Sequence, residues 1–252
     1  MNEFHVIIPA RHGSSRLPGK PLLDIGGKPM VLHVHDAAIA SGAATVTVAT
    51  DDNRIGSVVR NAGGRAVITS PDHQSGSDRI AEACSIMGLE EEAVVVNVQG
   101  DEPEMPPELI NQVAELLIDS RDADMATLCT PVESDSEFID LSVVKVVLDG
   151  AGRALYFSRA PIPWTRSENG SARVSDAWQA GLRHLGVYAY HAGYIRKFSA
   201  RGPCPLESRE RLEQLRALWY GESIACATAR VPPPPGIDTP EDLERARRRM
   251  DG

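Results

Sequence analysis

Val94-Val95-Val96-Asn97-Val98 is apolar at every position but one, and it runs into Gln99-Gly100-Asp101-Glu102-Pro103. A strand with one wet face would alternate, so this run reads as a central strand buried on both faces. Upstream, Phe4–Ile8, Thr45–Ala49 and Ala66–Thr69 have the same β-branched character and are bounded by turn residues. Helical periodicity fills the intervals, over Pro29–Ser41, Asn53–Ala62, Asp78–Met87 and Pro107–Ser120, with Gly42 and the Gly63-Gly64 pair standing where helices would stop. A β-α-β-α alternation implies an α/β fold, a doubly wound and mainly parallel sheet with helices on both faces.

In the second half of the chain the pattern changes. Val143–Leu148 and Ala154–Phe157 flank Asp149-Gly150-Ala151-Gly152, which predicts an antiparallel hairpin. Ser167–Ala180 is polar and reads as a mobile loop, His184–Tyr190 as a strand, and Leu206–Tyr220 as one charged helix. The proline run Pro232–Pro235 can only be extended. After it, Asp238-Thr239-Pro240-Glu241 opens a last helix whose basic end, Arg245 to Arg249, complements the helix dipole. No linker separates two bodies. The expectation is one domain over 1–252, with 143–200 including an antiparallel arm inserted into the core.

Composition removes several function classes. The 252 residues carry 26 Lys plus Arg against 35 Asp plus Glu, a net charge of −9, which does not suit a protein that neutralises nucleic-acid phosphates. No run reaches the ~20 apolar residues of a membrane span, and Met1–His5 is not a secretory leader. Cys84, Cys129, Cys204 and Cys226 are scattered without a CxxC, so neither a disulfide framework nor a zinc site is expected. A cytoplasmic protein without nucleic-acid or membrane partners is the expectation.

In an open parallel sheet ligands bind beyond the carboxyl ends of the strands. The first strand is followed by Pro9-Ala10-Arg11-His12-Gly13-Ser14-Ser15-Arg16-Leu17-Pro18-Gly19-Lys20-Pro21. This loop offers backbone N–H groups and projects Arg11, Arg16 and Lys20, a composition suited to a polyphosphate. It is no Walker A loop, since five residues separate Gly13 from Gly19 and Pro21 replaces the magnesium-binding Ser or Thr. Asp101, at the end of the buried strand, could hold magnesium or merely cap a turn. Asp238 could cap its helix or, if the fold brings it beside Asp101, complete a metal clamp.

Ile7–Arg11 with Ser15–Leu22, His73–Arg79, Val96–Pro103, Ala154–Arg159, Arg183–Tyr188, Leu206-Glu207, Leu212–Arg216 and Ile237–Glu244 follow one another through the chain. In that order they resemble the 3-deoxy-manno-octulosonate (Kdo) cytidylyltransferases; many sugar nucleotidyltransferases share the first block in looser form. Phe138–Lys145 departs from the family's usual Asn-Pro-Asn-rich stretch, and the prolines of Val231–Gly236 replace a Gly-containing approach to Asp238. The resemblance implies a nucleotide-diphospho-sugar transferase-like fold and transfer of CMP from CTP to Kdo, releasing pyrophosphate with Mg²⁺. The product would serve lipopolysaccharide core synthesis. Lys20, Asp101 and Asp238 would be catalytic, the two aspartates as metal ligands. Pro9, Ala10, Arg11, Arg16, Lys20, Ser75, Gly76 and Arg79 would bind the nucleotide. Gln99, Arg159, His184, Tyr188, Glu213 and Gln214 would bind the sugar, His184 being equally readable as a satisfied rim histidine. A homodimer is implied, with the arm serving sugar binding and dimerisation. Two alternatives stand beside this reading: a cytidylyltransferase for an 8-amino analogue of Kdo, and a nucleotide-sensing protein without catalysis.

Overall fold

A computed structural model describes residues 3–13, 17–165, 178–234 and 236–250. Arg16, Pro235 and most of the expected loop at Ser167–Ala180 lie outside the described residues. Four strands that the apolar runs predict, β1 (Phe4–Ala10), β4 (Thr45–Thr50), β5 (Arg65–Ile68) and β6 (Val94–Asn97), run parallel in the order β5-β4-β1-β6. All four residues of β6 are buried, as its unbroken apolar character requires. A two-stranded ribbon, β2 (Asp24–Ile25) with β3 (Lys28–Pro29), lies outside the main sheet.

The sheet continues through β10 (Leu182–His191), β7 (Met125–Pro131) and β11 (Ile224–Thr228). β10 is antiparallel to both β6 and β7, while β11 is parallel to β7. A bulge between Leu185 and Tyr188 bends β10. Its first residues, Leu182 and Arg183, pair with β8 (Lys145–Leu148), which forms the expected hairpin with β9 (Ala154–Ser158). The arm therefore enters the middle of the sheet through β10. Where the chain departs from the family pattern, Lys145 is fully buried, its ammonium donating to the carbonyls of Asp140, Val143 and Arg159 at 2.9, 2.6 and 2.6 Å.

Helices cover both faces. α1 (Met30–Ala40), α2 (Asn53–Asn61) and α4 (Pro107–Asp119) pack on Val6, Ile8, Val48 and Val96. α3 (Gly76–Ile86) and α6 (Ala192–Ala200) pack on Ile7, Ala49 and Val95 opposite. Alternate residues of β1 and β6 thus serve two cores, as the two-residue period of a strand requires. α5 (Asp135–Ile139) is a short turn seating Phe138, and α9 (Pro240–Met250) closes the chain, with the Thr239 hydroxyl accepting from Asp242 N at 3.2 Å.

The single helix expected over Leu206–Tyr220 is instead two, α7 (Pro205–Glu210) and α8 (Leu215–Trp219). Arg211 stands between them at φ 55°, ψ 48°, in the left-handed region, and its N–H donates to the Glu207 carbonyl at 2.7 Å. Outside glycine this conformation costs on the order of 1–3 kcal/mol and persists only where neighbours impose it. Glu210 supplies that restraint: its carboxylate accepts from Ser158 Oγ at 2.7 Å and Arg159 N at 3.0 Å, and its carbonyl from Arg159 Nε at 2.9 Å. The break turns Glu213 and Gln214 inward.

Candidate active site

The crevice opens at the carboxyl ends of β1 and β6, where an open sheet of this kind places its ligands. The loop after β1 folds back on itself: Gly19 N donates to His12 O at 3.1 Å, and Gly19 sits at φ 68° with His12 against it. A Cβ there would come within 3.2 Å of the imidazole, so the sharp turn and the contact both favour glycine. The turn delivers Lys20 into a single 3-10 turn (Lys20–Leu22) with its side chain only 9% exposed. Its ammonium donates to Asp101 Oδ2 at 2.7 Å and Asp238 Oδ1 at 3.1 Å, residues 81 and 218 positions away. Ile237 N, donating to Asp101 O at 2.9 Å, ties the two loops together.

Asp101 and Asp238 retain 38% and 52% exposure of their side chains, so both carboxylates face the opening. Among the described residues no cluster of three or more His, Cys, Asp or Glu is arranged as a complete metal cage. Two convergent carboxylates nonetheless fit Mg²⁺, a hard cation that takes one or two protein oxygens and fills its octahedron with water and phosphate. Next to them, burial pushes the Glu102 carboxyl up to about 8, with the Asp101 charge adding to the effect, and its Oε2 has no hydrogen-bond partner. Burial thus favours the protonated form of Glu102 beside the two aspartates.

A cavity of about 280 Å³ follows, lined by Pro9, Ala10, Arg11, Lys20, Ser75, Gly76, Arg79 and Gln99 together with both aspartates. Every described residue that the family resemblance assigns to the nucleotide is here. Ser75 also caps α3, accepting from Asp78 N at 3.1 Å, so the helix begins at Gly76 and presents its N-terminus to the cavity. Arg79 is 3% exposed, its guanidinium held by Thr69 Oγ1 at 2.5 Å and Asp51 Oδ2 at 2.9 Å. It serves as a fixed wall. Gly100 approaches β1 so closely that a Cβ would lie 2.8 Å from the Pro9 carbonyl. Backbone cannot yield there, so Gly100→Ala should displace Asp101 and lower kcat by roughly tenfold or more, on the usual sensitivity of catalysis to ångström-scale misplacement. A variant with kcat intact in a steady-state assay would refute that coupling.

A second cavity of about 220 Å³ shares Gly76, Gln99 and Glu213 with the first. Asn97, Tyr188, Tyr190, Tyr194, Arg211 and Gln214 line it. The register pairs Tyr188 with Asn97 across β10 and β6. Glu213 accepts from Ser77 Oγ at 2.5 Å, and burial raises its carboxyl above the usual range. Gln99, Tyr188, Glu213 and Gln214, which the resemblance assigns to the sugar, therefore lie together on this cavity. Asn97 and Arg211 are additions. Asn97 had a signal in the sequence, the one polar residue in an apolar run; Arg211 had none, because its position depends on the broken helix.

Arg159 and His184 line neither cavity. The Arg159 guanidinium donates from Nε to the Glu210 carbonyl at 2.9 Å and from Nη1 to the Leu141 carbonyl at 3.0 Å. His184 lies against Phe157 and Tyr188, ring centroids 4.9 and 5.3 Å away, and its Nε2 meets Thr127 Oγ1 at 3.0 Å. Burial pushes its imidazole down to about 3, so it is a neutral packing group that holds Tyr188 in place. The unfolded chain takes up this proton near pH 6.5 and the folded chain does not, so stability present above pH 6.5 is lost as pH falls toward 3. His184→Gln should flatten the fall of Tm between pH 7 and pH 4.5; parallel profiles in thermal melts would contradict the assignment.

Proteins of similar sequence and structure identify the family. The cytidylyltransferase family profile matches residues 5–224. The chain is 54% identical over 246 residues to a 3-deoxy-manno-octulosonate cytidylyltransferase of Idiomarina loihiensis, covering 97% of each chain. It is 53% identical over 251 residues to the enzyme of that name from Halorhodospira halophila, covering 98% of this chain and 96% of the other. A solved CMP:2-keto-3-deoxy-manno-octonic acid synthetase complexed with CTP superposes with a TM-score of 0.85 at 41% identity, over 99% of this chain and 98% of that one. With Lys20 between its two carboxylates and a polar cavity opening beside it, the chain belongs to the 3-deoxy-manno-octulosonate cytidylyltransferase family.

Proposed function

We propose that the protein transfers CMP from CTP to the anomeric hydroxyl of Kdo, releasing pyrophosphate and supplying an activated sugar for lipopolysaccharide core synthesis. The observation that carries this reading is the pair of joined cavities, one walled by Lys20, Arg11 and two aspartates, the other by neutral polar and aromatic groups. CTP enters the first with its triphosphate toward Arg11 and Lys20, whose charges offset the phosphate oxygens. The sugar enters the second, against Tyr188, Glu213 and Gln214. Gln99 and Gly76 stand where the cavities meet, so the sugar hydroxyl approaches the α-phosphorus on the side away from the departing pyrophosphate. The new P–O bond forms as the bond to the β-phosphate oxygen breaks. Such a transfer needs positioning and charge neutralisation more than covalent help.

Asp101 and Asp238 would hold Mg²⁺, which supplies Lewis-acid neutralisation of phosphate charge when bound. Lys20, whose ammonium donates to both carboxylates, lies where it would also donate to a phosphate oxygen. Further parts of the proposal are cytoplasmic action and a homodimer formed through the arm, where β9 pairs only with β8 along its length and Leu155 is 59% exposed. Among the described residues no helix is long and apolar enough to cross a membrane.

Pyrophosphate release with CTP, Mg²⁺ and a panel of acid sugars is the test, with ATP, GTP and UTP as controls. Release with CTP and Kdo is the expected result. Release only with the 8-amino sugar keeps the chemistry and changes the substrate. No release with any pair, from folded protein that still binds CTP, replaces this reading with nucleotide sensing.

A further inference from the structure

We propose that Asp51 is a positioning residue of the nucleotide site, bracing two walls of the first cavity from behind. This deepens the CTP reading above and rests on it. Asp51 directly follows β4, and the register that pairs Thr50 with Ala10 sets it level with Arg11 at the carboxyl edge of the sheet. It does not line the cavity, and its side chain is 17% exposed. Its two carboxylate oxygens serve different elements. Oδ2 accepts from Arg79 Nη2, on α3, at 2.9 Å, and Oδ1 accepts from His12 N, in the loop after β1, at 3.3 Å.

Each contact leads to a cavity residue. Arg79 is buried in the wall, and Asp51 supplies the anion that a buried guanidinium needs beside its bond to Thr69. On the other side, the carbonyl of His12 accepts from Gly19 N at 3.1 Å, one residue before Lys20. One carboxylate therefore holds α3 against the phosphate loop, between Arg11 and the turn that delivers Lys20. Capping does not account for Asp51. That task falls to Asp52, whose side chain accepts from Arg54 N at 2.8 Å at the start of α2.

The arrangement asks for a carboxylate rather than for any small polar group. Two N–H donors approach two separate oxygens, and an amide of the same size has only one acceptor oxygen. Whichever way it is turned, its NH2 group faces a donor. Asparagine at this position can therefore satisfy Arg79 or His12, but not both, and it removes the charge beside a guanidinium that is 3% exposed.

Asp51→Asn is the test, with CTP binding measured by calorimetry in the absence of sugar and at a temperature well below Tm. The expected result is a Kd for CTP raised by roughly tenfold, the scale of one charge-assisted hydrogen bond. KM for CTP should rise in step, while KM for Kdo at saturating CTP stays within about twofold of the wild type. A purely structural role would lower Tm and leave the Kd of the folded variant unchanged. A rise in Kd below about threefold, or an equal rise in KM for Kdo, overturns the inference. Should the asparagine variant fail to fold, Asp51→Glu, which keeps the charge but sets both oxygens one methylene out of place, is measured by the same criteria. Binding of CTP to the wild type reports on the nucleotide reading itself, so the two failures are distinct.

Discussion

Asp101→Asn is expected to lower kcat for pyrophosphate release by about a thousandfold, the scale on which a single charge-stabilising group acts in a dry site. The amide is isosteric, and its oxygen still accepts from the Lys20 ammonium at the 2.7 Å contact, so the loop after β6 keeps its shape. What disappears is one of the two negative charges converging on Lys20. A hard divalent cation binds carboxylate oxygen far better than amide oxygen, and the remaining Asp238 alone makes a poor site. Stability should barely change. The pair is more than a third exposed on the Asp101 side, and exposed ion pairs contribute about 0–1 kcal/mol. Steady-state kinetics beside a thermal melt is the check; near-normal turnover in the variant would remove Asp101 from the reaction. Asp238→Asn should act in the same direction, since the same ammonium binds both.

Arg216→Met should produce the largest loss of stability. Its guanidinium donates to Glu207 through Nε at 2.8 Å and Nη2 at 2.5 Å, a bidentate pair with side chains 5% and 10% exposed. Nη1 also donates to the carbonyls of Phe198 and Arg201 at 3.2 and 3.1 Å, and the group lies 4.6 Å over the Phe198 ring. Removing one member of such a buried pair strands the other charge and costs about 3–5 kcal/mol. At roughly 2–4 °C per kcal/mol for a chain of this size, Tm should fall by about 6–20 °C. A fall under about 3 °C would mean that water already relieves the pair. Replacing Glu207 by Leu in the same chain should recover part of the loss, because no buried carboxylate is then left unpaired. The effect would reach function as well, since α8 follows directly on Glu213 and Gln214.

The local pattern carried much of the architecture. Period and turn chemistry are properties of adjacent residues, which is why β1, β4, β5, β6 and the helices between them begin and end close to their expected limits. The cations after β1 and the aspartate after β6 were legible for the same reason, since strand ends in an open sheet mark the site. Asp101 and Asp238 each had a second reading as a turn or cap residue, and nothing within a few positions of either could choose between them. Their convergence on Lys20 is made by contacts spanning 81 and 218 positions.

Tertiary structure also set which polar residues line the two cavities. His184 and Arg159 face packed neighbours and carbonyl oxygens, while Arg211 came to the cavity through a break in a segment that has unbroken helical periodicity. That break is imposed by Ser158 and Arg159, about fifty residues upstream at the end of β9. The strands Met125–Pro131 and Ile224–Thr228 likewise gain their identity from each other and from β10. The sequence by itself determined which segments could be strands and helices, and which loops carried charge. Only the tertiary structure decided which charges meet, because the hydrogen bonds that bring them together join residues too far apart for any local pattern to record.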